Sequence, residues 1–394
     1  MTVRRNALRV LLAAVVVLGL LEAVLRLLCP VPEAPGFNRI EYSEILSPGL
    51  RGRRALMHAA TTWTSEPDGA SFVNHLNLYG FRDGDWSIAR REGVPRVLVV
   101  GDSFVEGFMA EDDETMTVAF REACRAAGQE VEVLNLGVGG IGMERYLPLI
   151  RDAVPLFSPD EVVLVLYAND LPTLGHDRDW LASAPVLEPR PAWAPRLAWV
   201  ARQLLGGQPV PLRGHSAPFP FLAPVPDPSN PWTENGALYA TQVDREMADA
   251  MRRATFNPNV VNLMGRFEIQ LRAPFDVRDP VIGLERFCGE HGARFSLAYL
   301  PYKLQVSDRY LPFERRLSPR RDITSLLGEE YQAPARNLRQ LCQIVKVPFL
   351  DLTPVLRAAE ETGRALYWEH DEHMRAEGYG LVGATLAEWW RSRP

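Results

Sequence analysis

Three short apolar runs, each followed by a helix-forming stretch, constrain this chain more than anything else in it. Arg96–Gly101 (RVLVVG), Val131–Leu136 (VEVLNL) and Glu161–Tyr167 (EVVLVLY) are rich in β-branched residues. A strand that is apolar on both faces must be covered on both, which places it inside a parallel sheet. Segments near Glu106–Ala126 and Met143–Val154 read as the intervening helices, so the unit is βαβαβ. Two further strands, Phe295–Leu300 and Val347–Leu352, each follow a helix. The first of these helices opens at Asp279-Pro280, puts Leu284, Phe287, Cys288 and His291 on one face and ends at Gly292. The second carries Leu338, Leu341, Cys342 and Val345, and a last helix, about Glu377–Trp390, is expected to bury Val382, Leu386 and Trp389. The expectation is an α/β domain over residues 95–394, with a doubly wound parallel sheet of five strands.

Two excursions interrupt it. Leu171–Phe275 is a long insertion with twelve prolines between Pro185 and Pro231, and Pro301–Gln332 is a second. Loops of such length are commonly lids or binding elements. Trp180, Trp193, Trp199, Trp232 and Tyr239 in the first suit either a sugar- or acyl-binding surface or the insertion's own core, the second being favoured. Residues 29–94 read as an irregular N-terminal segment.

Residues 1–28 are of another kind. Arg4, Arg5 and Arg9 precede the apolar run Val10–Leu21, which the mixed stretch Glu22–Leu28 extends. As one helix, Ala7–Leu28 reaches about 33 Å, enough to span a bilayer. The arginines keep that end inside, so the remainder is expected outside the cytoplasm, in the periplasm or at the cell surface. A cleaved signal peptide is the rival reading, but no small-x-small cleavage site is convincing, and Leu27 and Leu28 before Cys29 argue against a lipoprotein signal.

With 47% hydrophobic and 23% charged residues, the body is that of an ordinary globular protein. A net charge of -6 without a basic stripe excludes nucleic acid as an expected partner. Cys29, Cys124, Cys288 and Cys342 are too scattered for a disulfide framework, and the last three read as small core residues.

In a doubly wound sheet, reactive groups gather beyond the C-terminal strand ends. The first strand ends at Gly101-Asp102-Ser103, the second at Asn135–Gly140 and the third at Asn169-Asp170, while His370-Asp371-Glu372-His373 follows the fifth. These are a nucleophile, donors for an oxyanion and a base beside a carboxylate, the parts that acyl transfer requires.

Taken together, these blocks resemble the SGNH or GDSL-like hydrolases. Block one is Gly101-Asp102-Ser103-Phe104, block two Asn135-Leu136-Gly137-Val138-Gly139-Gly140, and block three Tyr167-Ala168-Asn169-Asp170, with Tyr167 in a position usually held by glycine. Block five supplies His373, with Gly378 five residues later. The resemblance implies a flavodoxin-like fold, a serine esterase or acyltransferase with Ser103 as nucleophile, His373 as base and Asp371 as its partner. It also implies an oxyanion hole formed by the amides of Ser103 and Gly140 and the side chain of Asn169. It implies no cofactor. Where most members have Asp-x-x-His, this chain has His370 in the aspartate position and Asp371 two before His373. That spacing is similar to extracytoplasmic alginate O-acetyltransferases, although Met374 stands where those have tryptophan. Asn77-x-x-Gly80-Phe81-Arg82 also resembles membrane-anchored members. Glycan-borne acyl esters are therefore the expected substrates.

Plainer readings stand beside these. Ser103 could be a helix N-cap; Asp102 and Asp170 are expected to hold turns; Asn169 and Gly140 could be turn residues. His58, His75, His176, His215 and His291 have no patterned partner, and the His370–His373 segment lacks a zinc spacing, so no metal is expected. A non-catalytic carbohydrate-binding module on the same fold is the alternative function. A remoter one is a dinucleotide-binding oxidoreductase, because Gly137–Gly142 satisfies G-x-G-x-x-G. That motif follows the second strand, though, and Asp170 comes 28 residues after Gly142, later than the expected ~20 and already past the strand end.

Overall fold

The computed structural model describes residues 2–42, 57, 59–64, 71–170, 187–208, 210–218, 243–252, 271, 276–317 and 325–393. Trp180, Trp232 and Tyr239 lie outside them. The body is built on five strands: β1 Arg96–Gly101, β2 Glu132–Gly137, β3 Glu161–Tyr167, β4 Arg294–Leu300 and β5 Phe349–Asp351. All pair in parallel, in the order β2-β1-β3-β4-β5. This is the flavodoxin-like doubly wound order, whose direction reverses between β1 and β3.

The alternation of side chains assigns each strand residue to one of two cores. Val97, Val99, Val163 and Val165 pack with Met116 and Phe120 of α2 (Met116–Ala126) and with Val382 and Leu386 of α6 (Ala376–Arg391). Leu98, Val100, Leu134 and Leu164 pack on the other face. They meet Tyr146 and Ile150 of α3 (Met143–Phe157), Leu284 and Cys288 of α4 (Arg278–Glu290), and Leu338 and Cys342 of α5 (Ala333–Val345). Each such side chain contributes about 1.5–3 kcal/mol by leaving water, so a one-residue slip in register would be ruinous. On the first face α2 and α6 touch closely: a Cβ on Gly383 would lie 2.3 Å from Met116 O.

Three local expectations are corrected. The helix near Glu106–Ala126 is two, α1 (Ser103–Glu106) and α2, joined through a 3-10 turn at Asp112–Glu114. Gly107, at φ 90°, ends α1, because the left-handed backbone there cannot continue a helix. The fifth strand is Phe349–Asp351 rather than Val347–Leu352, since Val347 N bonds back to Cys342 O and Pro348 has no N–H. Trp390 is the buried tryptophan of α6, while Trp389 is half-buried beneath Arg393. His291, exposed at the end of α4, lies on the same face as Phe287 as expected, their tilted rings 4.3 Å apart.

Part of the N-terminal segment belongs to the core. Phe37, Tyr42, Tyr79 and Phe81 join the α3 side, and the Phe37 ring lies against those of Tyr42, Tyr79, Phe81 and Phe157. Ala59–Thr64 and Ser71–His75 form an antiparallel pair, to which Ala217–Pro218 of the insertion adds a third strand. The N-terminal helix spans Thr2–Leu28. Its stretch Arg5–Leu28, with mean hydropathy 2.5 and none of it buried, is long and apolar enough to cross a membrane, a test that a signal sequence also passes.

Candidate active site

Ser103, His373 and Asp371 meet at the C-terminal edge of the sheet, beside the point where strand order reverses. β1 runs straight into α1. Asp102 caps that helix, its Oδ1 accepting from Phe104 N at 2.9 Å. Because the aspartate does the capping, the Ser103 hydroxyl is left for another partner. His373 Nε2 lies 2.7 Å from Ser103 Oγ, and His373 Nδ1 lies 2.5 Å from Asp371 Oδ1. The same carboxylate oxygen accepts from His373 N at 2.8 Å, which fixes the dipeptide step between them. The rings of Phe104 and Phe108 flank the imidazole, with centroids 4.9 and 5.3 Å away. Ser103 and His373 are each 8% exposed, enclosed but reachable.

The segment carrying the histidine is a closed loop. Trp368 N donates to His373 O, and Tyr367 bridges Met374. Lys303, fully buried, fills the loop's interior: its ammonium donates to the carbonyls of Glu369 (2.8 Å), Asp371 (3.0 Å) and Trp368 (3.3 Å). It also pairs with buried Glu314 at 3.2 Å. Trp368 Nε1 donates to Met109 O, tying the loop to the end of the segment that carries Ser103. Sequence reasoning passed over Lys303, yet a signal existed: a lysine three residues past the C-terminal end of an interior strand. His370 stands edge-on to Phe313, outside the Ser103–His373–Asp371 chain.

The glycine turn after β2 is held from beneath. Buried Glu106 accepts from Gly139 N and from the buried Arg39 guanidinium, both at 2.7 Å. A Cβ on Gly137 would lie 2.0 Å from Glu106 N, so β2 must end in glycine to let α1 approach. A carboxylate thus occupies the Gly139 amide, which a dinucleotide's pyrophosphate would need. Gly140 follows at φ 74° and is exposed. Asn169 sits in the turn Ala168–Asp170, part-exposed, its Oδ1 buried and unpartnered. Asp170 builds that turn by accepting from Tyr167 N (2.8 Å) and Tyr146 Oη (2.9 Å). Among the described residues, no hydrogen bond joins Gly140 or Asn169 to Ser103. The Asn77-x-x-Gly80-Phe81-Arg82 motif also acts here. Asn77 Oδ1 accepts from Tyr79 N and Phe81 N, which presents buried Arg82 to the carbonyls of Gly107 and Ala110 and to Asp112.

Charge is concentrated in this small volume. Burial alone would push the Asp371 carboxyl up, but His373 and Lys303 hold it below the usual carboxylate range. For His373, burial favours the neutral ring, yet the carboxylates, Asp371 foremost, raise it to about 9. Burial pushes Glu372 up to about 7 and Asp102 up to about 6. Among the described residues, no group of three or more His, Cys, Asp or Glu is arranged to hold a metal.

No family model matches the chain, and no curated protein matches it. Solved structures similar to it include the lipase/acylhydrolase from Enterococcus faecalis, 15% identical, covering 76% of this chain and 97% of that one at a TM-score of 0.38. An acetyl xylan esterase, AlAXEase, is 11% identical, covering 75% and 98% at 0.35. A two-domain esterase active on acetylated mannans is 7% identical, covering 76% and 49% at 0.33. Likenesses at these values carry no conclusion about activity, and the chemistry of the site is read from its own atoms.

Proposed function

We propose that this chain is a serine-dependent ester hydrolase or O-acyl transferase of the SGNH type, anchored by its N-terminal helix and acting outside the cytoplasm. The observation that most supports the reading is the unbroken chain Ser103 Oγ, His373 Nε2, His373 Nδ1, Asp371 Oδ1, with both links at hydrogen-bond distance. In this reading Ser103 Oγ attacks the ester carbonyl as its proton passes to His373 Nε2. Asp371 holds the ring's orientation and stabilises the imidazolium. The amides of Ser103 and Gly140 and the side-chain amide of Asn169 receive the oxyanion, each worth roughly 3–4 kcal/mol when preorganised. His373 then returns the proton to the departing alkoxide as the C–O bond breaks, leaving an acyl-serine. The oxygen of water, or of an acceptor hydroxyl, then attacks the acyl carbon as its proton passes to His373, and the acyl–Ser103 Oγ bond breaks as His373 returns that proton to Ser103 Oγ. The Asp-x-His spacing directs the reading toward acetyl esters on extracytoplasmic glycans.

The test is covalent. The full chain in detergent should be labelled on Ser103 by a fluorophosphonate probe, and Ser103→Ala should lose both labelling and turnover of p-nitrophenyl acetate. Full turnover in that variant would refute the assignment. Adding an oligosaccharide acceptor separates the two activities, because acyl transfer to sugar marks a transferase and acceptor-independent acetate release marks a hydrolase.

A further inference from the structure

The N-terminal helix is bound to the rest of the protein at its outer end, and what binds it is a short amphipathic element of the proline-rich insertion. The helix Arg196–Leu205 begins against Glu22, whose two carboxylate oxygens accept from Arg196 N and Leu197 N at 2.9 Å each. Arg26 completes that carboxylate at 2.7 Å. The last carbonyls of the N-terminal helix are met in turn. The Arg213 guanidinium donates to Leu27 O and its backbone N–H to Leu28 O, and the Arg196 guanidinium donates to Cys29 O. Orphan carbonyls at a helix end favour cationic donors of this kind. The two helices are therefore fixed to each other at several points rather than joined by a loose tether.

Around this joint the insertion shows an unusual surface. Trp199 points inward and is buried. Ala198, Ala201, Arg202 and Leu205 form the outward stripe, at the i, i+3, i+4, i+7 spacing of one helix face. Leu205 is 90% exposed, Leu204 65% and Trp193 79%. Arg202 and Arg213 are exposed among them. An aqueous surface gains nothing from an exposed tryptophan and two leucines beside arginines. A bilayer interface does, because the apolar groups enter the headgroup–acyl boundary while the guanidinium groups meet phosphate.

From the joint at Glu22 and this surface, we infer that the segment Trp193–Leu205 is an interfacial platform that lies on an anionic phospholipid surface and seats the catalytic body against the membrane. The inference rests on reading the N-terminal helix as a membrane anchor. Depth agrees with it. Glu22 stands six residues before Leu28, about 9 Å short of the outer end of the span, and an interfacial helix sets its apolar face roughly 5–10 Å into the headgroup–acyl boundary, so the helix that starts on Glu22 starts at that level. The charge also agrees, since basic groups near an anionic leaflet add to binding within a Debye length. The platform holds the body at a set height, so its ester substrates are groups within reach of the membrane surface.

The four native cysteines are buried, so a single introduced cysteine can be labelled selectively. Full-length Leu205→Cys, Val16→Cys and Ile344→Cys, each carrying an NBD fluorophore, would be reconstituted in nanodiscs containing an anionic lipid and doxyl-labelled lipids. The expected result is blue-shifted, quenched emission at 205 with a doxyl group near the headgroup, quenching at 16 with a doxyl group deep in the acyl chain, and water-like emission at 344. Leu205→Cys combined with Arg202→Glu, or zwitterionic lipid alone, should weaken the quenching at 205 and leave that at 16 unchanged. Water-like emission at 205 with full quenching at 16 would overturn the platform and keep the anchor. Water-like emission at both would overturn the anchor reading and the platform with it.

Discussion

Lys303→Met removes a buried cation from the middle of the loop that carries Asp371 and His373 and keeps its volume. The ammonium has three carbonyl acceptors, at 2.8, 3.0 and 3.3 Å, and a carboxylate partner at 3.2 Å, all within the protein. The substitution leaves Glu314, itself 2% exposed, without its counter-ion, and breaking a buried pair in this way costs about 3–5 kcal/mol. At roughly 2–4 °C per kcal/mol for a domain of this size, the thermal midpoint should fall by about 6–20 °C. Lys303→Met with Glu314→Gln removes both charges and should recover part of that loss, with a coupling of about 0.5–3 kcal/mol. The carbonyls of Trp368, Glu369 and Asp371 stay unmet in both variants, however. The loop then loses its grip on Asp371 and His373, and a displacement of about 1 Å there costs on the order of 100-fold in turnover. Differential scanning calorimetry and p-nitrophenyl acetate turnover would read the two effects separately. A midpoint within a degree of wild type, or a double variant with full turnover, would refute the role given to Lys303.

His373→Ala should lower turnover by several orders of magnitude, His370→Ala should be mild and Asp371→Asn should fall between them, once circular dichroism shows each to be folded. A dead His370 variant beside an active His373 variant would reverse the assignment. The base must be neutral to accept a proton, and with His373 raised to about 9 in the free protein kcat/KM should climb from pH 7 through that value. Glu372 lies beside the ring, and its negative charge helps to raise it. Glu372→Gln should therefore move the midpoint of the profile to lower pH and change the plateau little; an unmoved or higher midpoint would show that Glu372 does not act on His373.

Much of this molecule is legible in its sequence because the information is local. An interior parallel strand has to be apolar on both faces, and RVLVVG and EVVLVLY are, so the strands and their order of appearance follow from a few residues each. The chemistry lies at the strand ends for the same reason: Ser103, Gly140 and Asn169 each follow a strand by a handful of residues. Gly107 shows where local reading weakens, since the pattern around it continues as a helix and its positive φ ends α1; a Cβ there would lie 2.6 Å from Thr115 Cγ2.

Pairings between distant segments depended on tertiary structure alone. Nothing around Lys303 announces that its ammonium closes a loop some sixty residues later, and nothing around Arg39 announces Glu106. A buried charge in the sequence looks like a surface charge, because burial is a property of what packs over it. The sequence by itself determined the sheet, the turn that carries Ser103 and the apolar N-terminal helix, each specified by a run of neighbouring residues. The blocks already pointed to His373 as the partner of Ser103, and the fold brings the two into contact; it alone decided which cations hold the loops around them, and that the insertion grips the outer end of the N-terminal helix. Those contacts join residues up to 270 positions apart, and only the docking of whole elements brings them together.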